Sequence, residues 1–277
     1  MLKLMFITKN PDVALIAEKA GVDRIFIELE YIGKGLRQGG MDTVQNRHTA
    51  RDVKNIKKVL TKSTVLARVN PVHNLSIENK YKGTEREVAS VIRAGADVVM
   101  LPYFKTADEV RRFIKAVKGK ARTMLLFETP EAVENIDEIL EIEGIDEVFI
   151  GLNDLSLGYG HSFMFKPLAD GTVDKIIEKF KAKNLPYGFG GIASLGRGAL
   201  PSEKIIAEHY RLGSTCVILS RSFCNTSVID NIDVIDMTFK NGIKEIREFE
   251  RYCKKHDETF FKENRKSVKK IVDEICK

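Results

Sequence analysis

Two short segments of this chain end apolar runs with a carboxylate. Phe127-Glu128-Thr129-Pro130-Glu131-Ala132 is one, and Phe149-Ile150-Gly151-Leu152-Asn153-Asp154-Leu155-Ser156 is the other; helical sequence follows each. In a parallel βα protein the carboxyl ends of adjacent strands converge on one face. Glu128 and Asp154 are therefore expected side by side in a mouth that opens to solvent. Carboxylates held close repel each other unless a proton or a cation lies between them. Mg²⁺ or Mn²⁺ suits such oxygen ligands and keeps waters that a substrate can displace. The pair reads as a metal site. The bland alternative is a helix cap, for which Asp154 is well placed, or an ion pair with a neighbouring arginine.

Three further positions carry chemistry. Arg68 closes the run Leu66-Ala67-Arg68-Val69-Asn70; there it offers a bidentate fork to a carboxylate or phosphate, or a structural bridge to Glu28 or Glu30. In Glu28-Leu29-Glu30, alternation along a strand places both glutamates on one side, where either could orient a base or reach a metal through water. His48 precedes a helical segment and is the candidate general acid/base, since its ordinary pKa suits proton transfer near neutrality. A capping role is the competing reading, and His73 is the competing histidine.

Elements that alternate must position these groups. Strands are expected near 2–8, 24–29, 64–70, 98–103, 123–129, 147–152, 187–192 and 215–220. Helices are expected near 11–20, 49–60, 85–94, 107–117, 130–142, 173–183 and 202–212, with Gly21, Gly95, Gly144 and Gly213 as C-caps. Eight such repeats predict an α/β fold, a (β/α)8 TIM barrel with additional C-terminal helices; a doubly wound open sheet is the fallback. The domain reading is one barrel over 1–277, with 229–277 a helical extension whose two amphipathic stretches cover a partner subunit or the same one. Two loops at strand ends stand out by length, Glu30 to His48 and Asn70 to Gly83. The glycines of Gly188-Phe189-Gly190-Gly191 suit either a phosphate site or close backbone packing.

Bulk properties narrow the classes. The chain has 277 residues and a formal net charge of +6, but its basic residues alternate with acids along helices, as on solvated faces rather than a nucleic-acid surface. The cysteines at 216, 224, 253 and 276 show no metal or disulfide spacing. No apolar run approaches a membrane span, and no leader is evident, so a cytoplasmic location is expected.

Together these motifs resemble the HpcH/HpaI aldolase/citrate lyase family of the phosphoenolpyruvate/pyruvate barrel superfamily. The likeness runs from about Arg24 to Phe223. It is carried by Ala67-Arg68-Val69-Asn70, Val99-Met100-Leu101-Pro102 with Thr106-Ala107-Asp108-Glu109, Glu128-Thr129-Pro130-Glu131-Ala132-Val133 and Gly151-Leu152-Asn153-Asp154-Leu155-Ser156. The resemblance implies Glu128 and Asp154 as ligands of Mg²⁺ or another divalent ion. It implies Arg68 on the keto-acid oxygens, with Gly151 and Asn153 also against the substrate. The metal would chelate pyruvate or oxaloacetate and stabilise the enolate, with no Schiff-base lysine. Pyruvate aldolases of the family usually place an acid-histidine pair close behind the second strand. Here a long insertion separates Glu28-Leu29-Glu30-Tyr31 from His48, and the Leu-Glu-Asp motif of citrate-lyase-like members is matched only in part.

The leading expectation is a metal-dependent carbon–carbon lyase that interconverts a 4-hydroxy-2-oxoacid with pyruvate and an aldehyde. An acyl-CoA lyase of the citrate or malyl-CoA type is the alternative, and a non-catalytic keto-acid-binding barrel is a third reading. Small-molecule partners and a homo-oligomer, dimer or hexamer, go with the family. Arg37, Arg197 and Arg221, placed in mouth loops, would suit an anionic aldehyde; pairing with acids or exposure to solvent is the simpler role for them.

Overall fold

In a computed structural model, described for residues 1–34 and 48–277, eight parallel strands close into a barrel. In chain order the elements are β1 (Lys3–Ile7), α1 (Pro11–Ala20), β2 (Arg24–Glu28), α2 (Ala50–Val59), β3 (Thr64–Arg68), β4 (Leu75–Ser76), β5 (Tyr81–Lys82), α3 (Thr84–Ala94), β6 (Val98–Leu101), α4 (Ala107–Val117) and β7 (Arg122–Phe127). They continue with α5 (Pro130–Glu134), α6 (Ile136–Ile139), β8 (Glu147–Ile150), α7 (Leu152–Gly158), α8 (Lys166–Ala169), α9 (Thr172–Ala182), β9 (Tyr187–Ile192), α10 (Ser202–Leu212), β10 (Cys216–Leu219), α11 (Ile232–Cys253) and α12 (Glu258–Ile275). Around the barrel the order is β1-β10-β9-β8-β7-β6-β3-β2, and β4 and β5 form a separate hairpin. The expected (β/α)8 TIM barrel with extra C-terminal helices is the architecture found.

Strand alternation sorts the interior into layers. Met5, Phe26, Leu66, Met100, Met124, Leu126, Phe149 and Cys216 form an apolar plug inside the barrel, distinct from the larger core between strands and helices. Two residues before Phe26 and Phe149 stand Arg24 and Glu147, which form a buried ion pair at the barrel floor. Two residues after Phe26, Leu66 and Leu126 stand Glu28, Arg68 and Glu128, at the mouth. The β2–β3 register sets Glu28 opposite Arg68, and β7 and β8 are hydrogen-bonded neighbours.

The helices follow their end signals. Gly21, Gly95 and Gly213 close α1, α3 and α10 in the left-handed region, where a residue without Cβ is unstrained. Gly144 has φ +92 but lies in the turn before β8 rather than on a helix. The single helix expected over 130–142 is two short ones, because the chain breaks at Asn135 (φ −91, ψ 11). The β4–β5 hairpin, α7 and α8 have too few residues to show a period.

The C-terminal helices cover the chain's own barrel. Phe239 of α11 meets Phe6 edge-on, with ring centroids 4.8 Å apart. Buried Glu250 accepts hydrogen bonds from the Leu2 amide at 2.6 Å and the Tyr210 hydroxyl at 3.0 Å. Asn264 of α12 donates to Glu208 Oε1 and to the Lys204 carbonyl on α10. Among the described residues no helix is long and apolar enough to cross a membrane. All four cysteines are free; burial pushes the Cys216 thiol pKa up to about 12.

Candidate active site

The mouth is organised around Arg68. Its Nε donates to Glu28 Oε1 at 2.9 Å, its Nη2 donates to Glu28 Oε2, and Nε lies 3.4 Å from Glu30 Oε2. The guanidinium carbon sits 5.3 Å from the centre of the Phe26 ring below it. Nη1 has no partner among the described residues, so the fork is braced on one edge and available on the other. Burial lowers the pKa of Arg68 from its usual value, and the nearby Glu128 and Asp154 carboxylates act in the opposite direction. The structural bridge to Glu28 and Glu30 therefore exists, and it leaves Arg68 within electrostatic reach of both candidate metal ligands.

Glu128 and Asp154 line one cleft of about 210 Å³, together with Tyr103, Thr129, Pro130, Leu157 and Gly158; none of these seven residues is cationic. Local sequence places each carboxylate. Thr129 caps α5 by accepting from the Ala132 amide, and Pro130 takes the first helical position, where a missing N–H costs nothing. Thr129 also donates to the Phe104 carbonyl at 2.7 Å, so the chain turns sharply after Glu128 and leaves its carboxylate at the strand end. Asp154 lies in the first turn of α7, where the helix dipole favours negative charge. The Tyr103 amide donates to Glu128 Oε1 at 3.0 Å, and Tyr103 holds φ +48 to present it. Such a backbone is uncommon outside glycine and is typical of residues held for a site.

Gly151 gives Glu128 its room. A Cβ there would lie 2.6 Å from Glu128 Oε2 and 2.8 Å from its Cβ, so any side chain at 151 must displace the carboxylate. The glycines before β10 serve packing instead. A Cβ on Gly188 would lie 2.3 Å from the Cys216 carbonyl oxygen, which accounts for the glycine without a phosphate.

His48 sits differently from what a proton carrier needs. Its Nδ1 accepts the Glu28 amide at 3.0 Å, and its own amide donates to the Glu28 carbonyl at 3.2 Å. Burial, with Lys9 and Lys34 adding repulsion and Asp52 opposing them, lowers its pKa to about 4. At neutral pH the ring is uncharged and the lone pair a base would use is taken. It ties the end of β2 to the start of α2. His73, its competitor, has Nδ1 2.8 Å from the Pro71 carbonyl and lies outside this cleft.

Two groups escaped the sequence reading. Lys34 is buried at the mouth with its Nζ 3.2 Å from Glu28 Oε2 and 3.5 Å from Glu30 Oε2; a lysine six residues past a strand gives no periodic signal. Asn70 accepts the Tyr31 and Ile32 amides, each at 2.9 Å, and donates to Glu87 at 2.7 Å. It anchors the loop that carries Glu30 and Lys34. Asn153 is half-buried beside Asp154 on α7. The arginines do not gather as one ring: Arg37 lies outside the described residues, Arg197 is exposed on the loop after β9, and Arg221 lines a different pocket, beyond β10.

Could this donor set hold a metal? Among the described residues, the carboxylates of Glu28, Glu30, Glu128 and Asp154 lie around Arg68 and Lys34. No cluster of three or more metal-ligating side chains occurs among the described residues. Two carboxylates with open coordination positions suit a hard divalent ion that keeps water and binds substrate.

Comparisons with known proteins give the family and the fold. The chain is 26% identical over 164 residues to a 2-keto-3-deoxy-L-rhamnonate aldolase of Escherichia coli, a match covering 46% of this chain and 60% of that protein; one from Shigella boydii matches over the same lengths. The match thus spans less than two thirds of these relatives. Among solved structures, an HpcH/HpaI aldolase from Desulfitobacterium hafniense superposes with a TM-score of 0.57 at 17% identity, covering 89% of this chain and 93% of that one. The citrate synthase SbnG gives 0.58 at 17% identity, covering 85% and 94%; at such identities the likeness is one of fold. The family model for HpcH/HpaI aldolase/citrate lyase matches residues 3–183, a span that holds Arg68, Glu128 and Asp154, and the chain belongs to that family.

Proposed function

We propose that the mouth is the active site of a metal-dependent carbon–carbon lyase that cleaves or forms a 4-hydroxy-2-oxoacid through pyruvate and an aldehyde. One observation carries this reading: Glu128, directly after β7, and Asp154, in the first turn of the helix after the neighbouring β8, share one cleft and both act on Arg68. The curated relatives are named for a 2-keto acid aldolase, which is the same substrate class.

Glu128 and Asp154 would hold the divalent ion, Mg²⁺ or Mn²⁺. When bound, it supplies the fixed positive charge that stabilises an enolate oxygen. Arg68, braced by Glu28 along Nε and Nη2, offers Nη1 to the substrate carboxylate without having to be ordered on binding. The Tyr103 amide fixes Glu128, and Gly151 lets the substrate side of the cleft stay open. Glu30 and Lys34, buried against each other and close to Arg68, are the ionisable pair from which a proton carrier would come. His48 is a positioning residue for Glu28.

Oxaloacetate decarboxylation tests the reading, because oxaloacetate presents the same keto-acid chelate without requiring the aldehyde. With Mg²⁺ or Mn²⁺ the wild-type protein should release pyruvate, EDTA should stop it, and Glu128→Ala should lack it. Release no faster than free metal alone, from a folded protein, would overturn the proposal.

The acyl-CoA alternative asks for cations beside the mouth to meet nucleotide phosphates. The strongly basic groove found here, with Arg93, Lys115, Lys118 and Lys120, lies between α3 and α4 on the outer wall. Lys9 and Arg221 do line a pocket at the carboxyl ends of β1 and β10, so an acyl-CoA lyase stays the second reading.

A further inference from the structure

The outer wall carries a cationic groove that the chemistry of the mouth does not use. It lies between α3 and α4, beside the carboxyl ends of both helices, with a volume of about 740 Å³. Those ends lead into the first residues of β6 and β7, so the groove is at the floor end of the barrel, away from Glu128 and Asp154. Six of its eleven lining residues are cations and one, Glu85, is an acid. A formal charge of +5 therefore gathers here, in a chain whose total is +6.

The acids nearby are already committed. Arg112 Nε donates to Glu85 at 2.6 Å, and Arg111 is held by Asp108 and Glu138. Arg93, Lys115, Lys118 and Lys120 are all exposed, and none makes an ion pair among the described residues. Helix ends account for two of them, since Arg93 and Lys115 stand in the last turns of α3 and α4, where the dipole favours a cation. They do not account for Lys118 and Lys120, which follow the last residue of α4. Lys118 is its C-cap at φ +56, a conformation that favours glycine.

Between the cations, Ala89 and Ile92 of α3 and Ala116 and Val117 of α4 make an apolar floor. Ala89, Ile92 and Arg93 share one face of α3, and Arg112, Lys115 and Ala116 one face of α4. The volume falls within the roughly 300–1,000 Å³ of small-molecule sites. The positive surface is also short: past α4, the exposed carboxylates of Asp137, Glu138 and Glu141 pair with Lys179, Arg111 and Lys183. A nucleic-acid strand tracking the wall would meet these carboxylates; a compact ligand would not.

We propose that this groove binds a compact polyphosphate through Arg93, Lys115, Lys118 and Lys120. Clustered lysine and arginine donors match phosphate oxygens, and the apolar floor leaves room for a nucleoside attached to them. A nucleoside triphosphate and free polyphosphate share this chemistry.

Calorimetric titration of the full chain with ATP, tripolyphosphate and orthophosphate tests the proposal, in EDTA so that no metal at the mouth recruits the phosphates. The wild type should bind ATP, and bind orthophosphate at least about tenfold more weakly because fewer cations are engaged. Lys115→Glu and Lys118→Glu should each weaken ATP binding by about tenfold or more, with melting curves unchanged at these exposed positions. Lys118→Arg should keep the affinity, and so should Lys9→Glu at the mouth. ATP binding tighter than tripolyphosphate assigns the floor to a nucleoside; tripolyphosphate binding as well or better assigns the site to free polyphosphate. Either supports the groove. No binding of ATP or tripolyphosphate, equal binding of ATP and orthophosphate, or binding that Lys118→Glu leaves unchanged overturns it. A single-stranded RNA that binds at least about tenfold more tightly than ATP, and is lost in Lys118→Glu, also overturns it in favour of a nucleic-acid surface.

Discussion

Arginine meets glutamate at both ends of this barrel, and the two meetings are built to different rules. At the floor, Arg24 Nη1 and Nη2 each donate to one oxygen of Glu147 at 2.7 Å, and Arg122 adds a contact at 3.0 Å. The carboxylate is fully occupied and cations are in excess. At the mouth, Arg68 is braced by Glu28 along Nε and Nη2, and its Nη1 has no partner among the described residues. Between the two layers lies the apolar plug of Phe26, Leu66, Leu126 and Phe149, which keeps water from joining them. A buried pair closed on itself resists disruption because breaking it strands a charge. An arginine braced on one edge only keeps donors for a ligand. The difference teaches where to look for function: at the end whose arginine is not closed on a single partner.

Substitutions at matched positions test that contrast. Glu128→Ala should reduce pyruvate release from oxaloacetate by about a thousandfold, roughly 4 kcal/mol of transition-state stabilisation, with little change in thermal stability. Steady-state rates beside a melting curve measure both; a large fall in Tm would make Glu128 a structural residue like Glu147. At the floor, Glu147→Ala should do the reverse. It leaves Arg24 buried and unpaired at a cost of about 3–5 kcal/mol in unfolding free energy, while turnover per folded molecule persists. Denaturant titration reads the loss.

Acid should also act through identifiable groups. His48 has a folded pKa near 4 against 6.5 unfolded, so the unfolded chain takes up its proton first. Stability from this group is intact above pH 6.5 and drains away as pH falls toward 4, by on the order of 3 kcal/mol. His48→Asn, which keeps an acceptor for the Glu28 amide, should flatten that part of the stability curve; an identical curve would mean the ring is not buried neutral. Glu147 behaves differently. Burial would raise its carboxyl pKa, but the Arg24 hydrogen bonds and charge outweigh burial and hold it below 4.5. Its contribution is complete above pH 4.5 and is lost only as pH drops through the lower folded value.

The smallest expected effect is at Gly151. A methyl there must push against Glu128 Oε2, so Gly151→Ala should weaken metal binding by about 10–100-fold, the scale typical of disturbing a ligand's support. Mn²⁺ titration followed by calorimetry would show it, and unchanged affinity would mean that Glu128 is not a ligand or can relocate freely.

Much of the scaffold was legible because burial writes a period into sequence. Each of the eight strands is a short, largely apolar run, and α1, α4 and α10 have the bounds expected of them. The region 130–142 misled because its apolar spacing is helical while Asn135 interrupts the backbone. Arg68 and Glu128 stand at strand ends as expected, whereas Asp154 lies in the first turn of α7, four residues past the end of β8. Lys34, Tyr103 and Asn70 were not legible, since a loop lysine, a backbone amide and a loop anchor leave no pattern in residue type.

The amino-acid sequence alone determined the barrel and the charged ends of its strands, because alternation and strand termini are local properties. Only the tertiary structure decided which charges satisfy one another. Register put Glu28 opposite Arg68, closure of the barrel placed β1 across from β7, and burial lowered the pKa of His48, whose Nδ1 accepts the Glu28 amide. Those outcomes depend on distances between residues far apart in the chain, which no local pattern encodes.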